Sequence, residues 1–116
     1  MEIQVINGIA NVISLEQTEE EKKDIILKVS YNAFKLSVEE LQIKSRKRAV
    51  VVPRQISMYL LYKFTKYTVE FIGGMYKRDH TTVTHAKKVV TNLKETDKDF
   101  NSMVQFLEYK VKEKIN

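Results

Sequence analysis

Helix-start signals recur along this chain of 116 residues, and few residues between them would interrupt a helix. Thr18 precedes Glu21 by three positions, and Ser37 precedes Glu40 in the same way. This spacing is that of a capping box, in which the hydroxyl and the glutamate each satisfy a free backbone N–H group. The chain has only one proline and three glycines. The pattern therefore predicts long helices joined by short turns.

Apolar residues recur at helical spacing along most of the chain, which predicts an all-α fold, a compact bundle of about six helices. The expected helices run from about Glu19 to Lys35, from Ser37 to near Ile43, from Pro53 to about Tyr67, from Val69 to Met75, from Asp79 onwards and from near Asp99. In the fourth helix, Phe71 and Ile72 are expected to point inward. No segment keeps a strand pattern. Residues 1–17 alternate weakly and are expected to form a leader, either a short helix or an extended piece, before a single domain at 18–116.

Positive charge is concentrated in the middle of the chain. Residues 44–88 hold 11 lysines and arginines but only Glu70 and Asp79 as acids, whereas residues 1–43 hold 4 basic and 8 acidic residues. Residues 89–116 hold 5 of each kind. A solvated basic face would account for such a block. Binding to a polyanion would also account for it, since cationic side chains displace the counterions of nucleic-acid phosphates.

Several classes of protein are disfavoured by what the sequence lacks. The chain has no cysteine, which rules out disulfides and thiolate zinc sites and fits a cytoplasmic protein. No apolar run approaches the ~20 residues of a membrane helix, and no Gly-x-x-x-x-Gly-Lys-Ser/Thr motif for nucleotide binding occurs. His80 and His85 are five positions apart, so they do not share a helix face as zinc-binding pairs do. Nothing combines a nucleophile, a base and an orienting group, so we expect neither an enzyme nor a cofactor.

The segment Arg78-Asp79-His80-Thr81-Thr82-Val83 begins a helix with short polar side chains. Asp79 is a favourable N-cap, and the side chains that follow suit contact with base edges in a DNA major groove. The helix at 69–75, the turn at 76–78 and this helix have the proportions of a helix-turn-helix. Its expected outer face carries Thr81, Thr82, His85 and Lys88. Upstream, the basic run 44–48 is expected to lie in a loop reaching Val52, and such basic arms enter an adjacent minor groove in other proteins.

Several motifs in a fixed order carry a family resemblance. Pro53-Arg54-Gln55, Ile72-Gly73, the segment 78–83 and His85-Ala86, together with the basic run, resemble the C-terminal DNA-binding domain of the bacterial replication initiator DnaA. The resemblance covers about residues 22–112. The chain departs from the family pattern at Glu70, where proline is usual, at Val89, where lysine is common, and in a turn that is one residue shorter.

The resemblance implies sequence-specific binding to double-stranded DNA at initiator-type sites, in replication initiation or its regulation. The implied base contacts are Asp79, His80 and Thr81. Arg46 would enter the minor groove, with Lys44 and Arg48 beside it. The other implied contacts with the DNA backbone or groove are Arg54, Arg78, Thr82, His85 and Lys88.

A second interpretation keeps the fold but not the site preference. In that case the chain is a protein-interaction or decoy module that modulates the host initiator, with the acidic segment 16–24 as a contact. The expected partner is double-stranded DNA, joined under the second interpretation by another replication protein, and no membrane contact is expected. Because the nucleotide-binding motif is missing, the chain is expected to be either an excised domain or a separate small protein. Met1 and an acidic N-terminal segment unlike the family favour the second. The sequence leaves its oligomeric state open.

Overall fold

The computed structural model describes residues 2–6, 9–13 and 17–115, with side chains described from residue 17 onwards. The elements of this part of the chain are β1 (Glu2–Ile6), β2 (Ile9–Ile13), α1 (Glu19–Phe34), α2 (Val38–Leu41), α3 (Arg48–Phe64), α4 (Val69–Met75), α5 (His80–Thr96) and α6 (Lys98–Lys114). The prediction of a helical bundle with about six helices is confirmed. No strand pattern is expected, but the leader takes its extended alternative and forms two short strands.

β1 and β2 form an antiparallel ladder that pairs Glu2 with Ile13 and Ile6 with Ile9. Both strands are rich in isoleucine and valine, which favour extended backbone. The sequence between them is Asn-Gly, the pair most typical of a two-residue hairpin connection. This local signal predicts the strands better than the weak alternation of polarity does.

Both predicted N-termini, the one that follows Thr18 and the one that follows Ser37, are confirmed. The Glu21 backbone N–H donates to the Thr18 hydroxyl over 3.1 Å, and the Thr18 N–H donates to the Glu21 carboxylate over 3.3 Å. Ser37 and Glu40 bond reciprocally in the same way, over 3.2 and 3.1 Å. Each box satisfies backbone N–H groups that a helix start would otherwise leave without partners.

α3 differs from the prediction at both ends. It begins at Arg48, so Pro53 lies inside the helix, where it cannot donate to the helical hydrogen-bond ladder. Val50, in the first turn, packs partly buried against the core, and this packing offsets the weak helix propensity of a β-branched residue. The basic loop is therefore shorter than expected and covers residues 42–47. The helix also ends slightly early, at Phe64.

α3 runs through the centre of the bundle and packs against α1, α2, α4 and α5. Its fully buried apolar residues are Ile56, Met58, Leu60 and Leu61. Tyr76, at the end of α4, is equally buried, and its hydroxyl hydrogen-bonds with the Ser57 hydroxyl. Burial raises the pKa of Tyr76 to about 12. The core therefore attaches the end of α4 directly to α3.

No helix among the described residues is long and apolar enough to cross a membrane.

One predicted core residue lies at the surface. Phe71 is 48% exposed and stacks on Tyr67, with the ring centroids 4.3 Å apart, whereas its neighbour Ile72 is fully buried. Side chains at consecutive helix positions point ~100° apart, so Phe71 and Ile72 cannot both point into the core. The expectation that Phe71 points inward is therefore wrong.

A buried carboxylate joins α3, α5 and α6. Glu108 is only 6% exposed. Its carboxylate accepts hydrogen bonds from Tyr59, Lys63 and Lys94 over 2.7, 2.6 and 3.1 Å. Burial raises the pKa of Glu108, but the bonds from these three side chains outweigh burial, so the pKa lies below its ordinary value. Glu108 therefore remains ionised inside the bundle at neutral pH.

Candidate nucleic-acid interface

Asp79 organises the first turn of α5. Its Oδ1 atom accepts from the Thr81 backbone N–H over 2.9 Å and from the Thr81 hydroxyl over 3.2 Å. The same oxygen lies 3.0 Å from Nδ1 of His80. The pKa of Asp79 is lowered, chiefly by the backbone hydrogen bond from Thr81. The side chains of these residues thus form one connected polar group at the start of the helix.

The outer face of α5 is polar and the inner face is apolar. The exposed residues include His80, Thr81, His85 and Lys88, and Thr82 is partly exposed. The fully buried residues of the opposite face are Val83, Ala86 and Val90. The predicted outer face of this helix is confirmed, since all four of its expected residues are at least partly exposed. Predicted site residues of α5 are therefore brought together on one accessible surface.

The turn between α4 and α5 is tight. The N–H groups of Tyr76 and Arg78 both donate to the Gly73 carbonyl, over 3.0 and 2.9 Å. A Cβ atom at Gly73 would lie 2.7 Å from the Arg78 carbonyl oxygen, so a side chain there requires a backbone shift. Lys77 has a φ of 56°, a left-handed conformation that is more usual for glycine. These features fix the direction in which α5 leaves α4.

Arg78 links this turn to the basic loop. Its guanidinium donates to the carbonyls of Gln42 and Ile43 over 3.0 and 3.2 Å, and to the Tyr76 carbonyl over 2.8 Å. The Gln42 side chain donates in turn to the Met75 carbonyl over 2.8 Å. Arg78 is expected from the family resemblance to contact DNA. The structure shows that its donors bind the base of the loop.

Arg54 lies almost completely buried in the first half of the bundle's central helix. It is predicted as a DNA contact, but its side chain is only 7% exposed. Its Nε atom donates to the Leu41 carbonyl and its Nη2 atom to the Ile43 carbonyl, each over 2.8 Å. Burial, with a smaller effect of nearby Arg78, lowers the pKa of Arg54. Because these donors are used inside the domain, the position of Arg54 favours a role in holding the loop.

The basic loop, residues 42–47, is attached at its base and accessible beyond it. The Ser45 N–H donates to the Ile43 carbonyl over 3.0 Å, and the Lys47 N–H donates to the Ser45 hydroxyl over 3.2 Å. The exposed cations of the loop and of the start of α3 are Lys44, Arg46, Lys47 and Arg48. None of these cations forms an ion pair with any residue from 17 to 115. They therefore create a positive potential beside the start of α5.

Sequence reasoning missed one cation on α5 itself, Lys87. The Nζ atom of Lys87 lies 3.8 Å from the ring centroid of Tyr62 on α3, which is a close cation–π contact. Tyr62 is exposed, and Lys87 has no carboxylate partner in the part of the chain with described side chains. The sequence offers one indication of this role, since Lys87 lies in the basic block 44–88, which has only two acidic residues. Only the structure shows that an aromatic ring holds it.

α4, the tight turn and α5, with a buried inner face and an exposed polar outer face, define a helix-turn-helix domain. The basic loop adds a second cationic element beside it. The chain belongs to the family described as bacterial dnaA protein helix-turn-helix, whose model matches residues 23–90.

Individual relatives agree with this family assignment. The chromosomal replication initiator protein DnaA of Desulfotalea psychrophila is 48% identical over 80 residues, which are 69% of this chain and 17% of that protein. The DnaA protein of Flavobacterium psychrophilum is 44% identical over 89 residues, 76% of this chain and 19% of the relative. That of Thermus thermophilus is 35% identical over 101 residues, 86% of this chain and 23% of the relative. The chain therefore spans about a fifth of the length of these relatives.

Proposed function

We propose that this chain binds double-stranded DNA with sequence preference, with the start of α5 in the major groove and the basic loop in the adjacent minor groove. The observation that carries this proposal is the link from Arg78 to the carbonyls of Gln42 and Ile43. Arg78 immediately precedes the N-cap of α5, and Ile43 immediately precedes the exposed cations of the loop. The two elements are thus fixed to each other, as simultaneous contact with neighbouring grooves requires.

Base contacts are assigned to the connected polar group at the start of α5. His80 and Thr81 are exposed there, and a threonine methyl group packs well on the methyl group of thymine. Asp79 uses Oδ1 for the cap, which leaves its second oxygen to accept from a cytosine amino group. We therefore assign Asp79, His80 and Thr81 to sequence discrimination.

Contacts with phosphates and the minor groove are assigned to the surrounding cations and polar groups. Arg46 is exposed at the loop and suits a narrow, electronegative minor groove. The proposed contacts with the DNA backbone are Lys44, Arg48, Thr82, His85, Lys87 and Lys88. Arg54 and Arg78 are assigned a positioning role, since their donors bind backbone carbonyls of the protein.

We place this activity in replication initiation or its regulation, since the relatives are named chromosomal replication initiator proteins. The sequence contains no nucleotide-binding Gly-x-x-x-x-Gly-Lys-Ser/Thr motif, so the proposed activity is binding rather than catalysis. We infer that this activity takes place in the bacterial cytoplasm, where the DNA bound by a replication initiator lies.

Fluorescence anisotropy tests the proposal. The purified chain is titrated into a duplex that carries an initiator-type site and into a scrambled duplex, at two salt concentrations. We expect tighter binding to the site, and weaker binding to both duplexes at higher salt. His80→Ala and Thr81→Ala should each lower the discrimination between the duplexes by ~1–3 kcal/mol. Ser102→Ala, exposed on α6, is the matched control.

Three other outcomes of the anisotropy titrations would contradict parts of this proposal. Equal binding to both duplexes would contradict sequence preference and leave only contact with the DNA backbone. Equal losses on both duplexes for His80→Ala would remove that residue from base recognition. Absence of binding to either duplex would favour the protein-interaction module over the DNA-binding function.

A further inference from the structure

The ladder of β1 and β2 has two open edges, because it pairs with no third strand among residues 2–6, 9–13 and 17–115. In an antiparallel ladder, pairs that exchange both hydrogen bonds alternate with pairs whose N–H and C=O groups point outward. Ile6 and Ile9 flank the two-residue connection and therefore form a bonded pair. By this register, the outward backbone positions are Ile3 and Val5 on β1 and Ala10 and Val12 on β2.

β2 lacks the features that usually prevent an edge strand from pairing. Proteins protect such edges with charged residues, proline or β-bulges. The sequence of β2, Ile9–Ile13, has no charged residue and no proline, and its register with β1 has no bulge. β1 differs because it carries Glu2. A hairpin of two strands is at best marginally stable in water, and it gains stability from further strands with a hydrophobic face or from packing against a helix. A third strand at the open edge of β2 would supply the first kind of support.

We propose that β2 is a self-association edge, and that it pairs antiparallel with β2 of a second copy about a two-fold axis at Asn11. The pairing places Ala10 opposite Val12 of the second copy and Ile9 opposite Ile13, and each Asn11 faces its equivalent. No charges meet across this interface, because the strand has none. A two-fold interface uses the same surface on both copies, so this one edge is sufficient. The two hairpins then form a continuous sheet.

This arrangement extends the proposed function without depending on it. A dimer would carry two helix-turn-helix units joined through one sheet, and could occupy two neighbouring sites on DNA. Linked binding of this kind raises the apparent affinity when the geometry permits both contacts. The test nevertheless uses the protein without DNA, so its outcome is independent of DNA binding.

Sedimentation equilibrium of the full chain tests the association. Over about 1 to 100 µM, which spans the affinities of weak to moderate interfaces, the mass should rise from 13.6 kDa towards that of a dimer. Val12→Pro removes an outward N–H from β2 but no bond between β1 and β2, and it should keep the chain monomeric. Ile3→Pro is the matched control, because it makes the same change at the edge of β1. It should associate like the unaltered chain.

Amide hydrogen exchange shows which edge is used and whether the hairpin persists. The N–H groups of Ala10 and Val12 should be protected at high protein concentration and exchange freely at low concentration. Those of Ile3 and Val5 should exchange freely at both. Protection of the Asn11 N–H in Val12→Pro would show that the hairpin itself remains. A monomeric mass throughout, equal effects of the two prolines, or protection of the β1 edge instead would overturn the proposal.

Discussion

Arg54 and Arg78 donate to the same backbone carbonyl, that of Ile43, over 2.8 and 3.2 Å. Arg54 belongs to α3 and Arg78 to the turn before α5, so this one carbonyl joins both elements to the base of the basic loop. Neither arginine forms an ion pair with residues 17–115. A segment with little secondary structure of its own is thus held by charged donors from two sides.

Replacing Arg78 by methionine should detach the loop from the turn. Methionine retains an unbranched apolar stem but cannot donate to the carbonyls of Gln42 and Ile43. We expect a loss of about 1.5–3 kcal/mol in the free energy of unfolding, measured by urea denaturation, as hydrogen bonds from charged groups usually contribute. Affinity for the site-bearing duplex should also fall. Lys112→Met, exposed on α6, controls for the lost charge. Unchanged stability and affinity would refute the anchoring role of Arg78.

Gly73→Ala and Gly74→Ala should have opposite effects on stability. A Cβ atom at Gly73 meets the Arg78 carbonyl oxygen at 2.7 Å, whereas one at Gly74 meets nothing within 4 Å. Overpacking should cost the first variant about 1–3 kcal/mol. The second should gain up to about 1 kcal/mol from the higher helix propensity of alanine. Thermal unfolding of the pair checks this. Equal midpoints would show that the backbone at Arg78 can move at little cost.

Glu108→Gln should remove a contribution to stability that is sensitive to acid. The pKa of Glu108 is lowered from its ordinary value of 4.5 in the folded state, so the folded chain binds this proton less readily than the unfolded chain. The contribution is therefore complete above the unfolded pKa and is lost as the pH falls through the folded pKa. Urea unfolding near pH 7 should show a loss of about 1–3 kcal/mol for the variant.

The same comparison in acid completes the test of Glu108. The difference between the unaltered chain and Glu108→Gln should shrink once the carboxylate is protonated in both states. Glu113→Gln is the control, since Glu113 is exposed and lies 3.9 Å from its partner Lys110. A difference that stays constant with pH would assign the effect of the glutamine to packing alone.

Lys87→Gln should lower the salt dependence of DNA binding. If the ammonium group neutralises one phosphate, the slope of log K against log salt should fall by ~0.9. Tyr62→Leu should produce a smaller change in the same direction, because it removes the ring that holds Lys87. Lys112→Gln is the control for charge, and its slope should match that of the unaltered chain. An unchanged slope for Lys87→Gln would place that cation outside the DNA contact.

The features that could be predicted from the sequence depend on residues close together in the chain. The box at Thr18 and Glu21 spans three positions, and it forms as predicted. By contrast, Arg54 reaches the Leu41 carbonyl across 13 positions, and Lys63 reaches Glu108 across 45. Local patterns cannot indicate such contacts, because burial of a charged side chain depends on the helices that pack around it. The sequence therefore gives no sign that the guanidinium of Arg54 binds two backbone carbonyls of the protein.

The carboxylate cap of Asp79 also affects the entropy of association. Oδ1 accepts both donors of Thr81 and lies beside the His80 ring, so the orientations of these side chains are restricted in the free protein. Immobilising a flexible side chain on binding costs about 0.5–1.5 kcal/mol. In this protein the side chains are already restricted when the chain folds, so little of that free-energy cost remains for DNA binding. The start of α5 would then approach a duplex with little conformational freedom left to lose, and discrimination would rest on the fit of a rigid surface to each base.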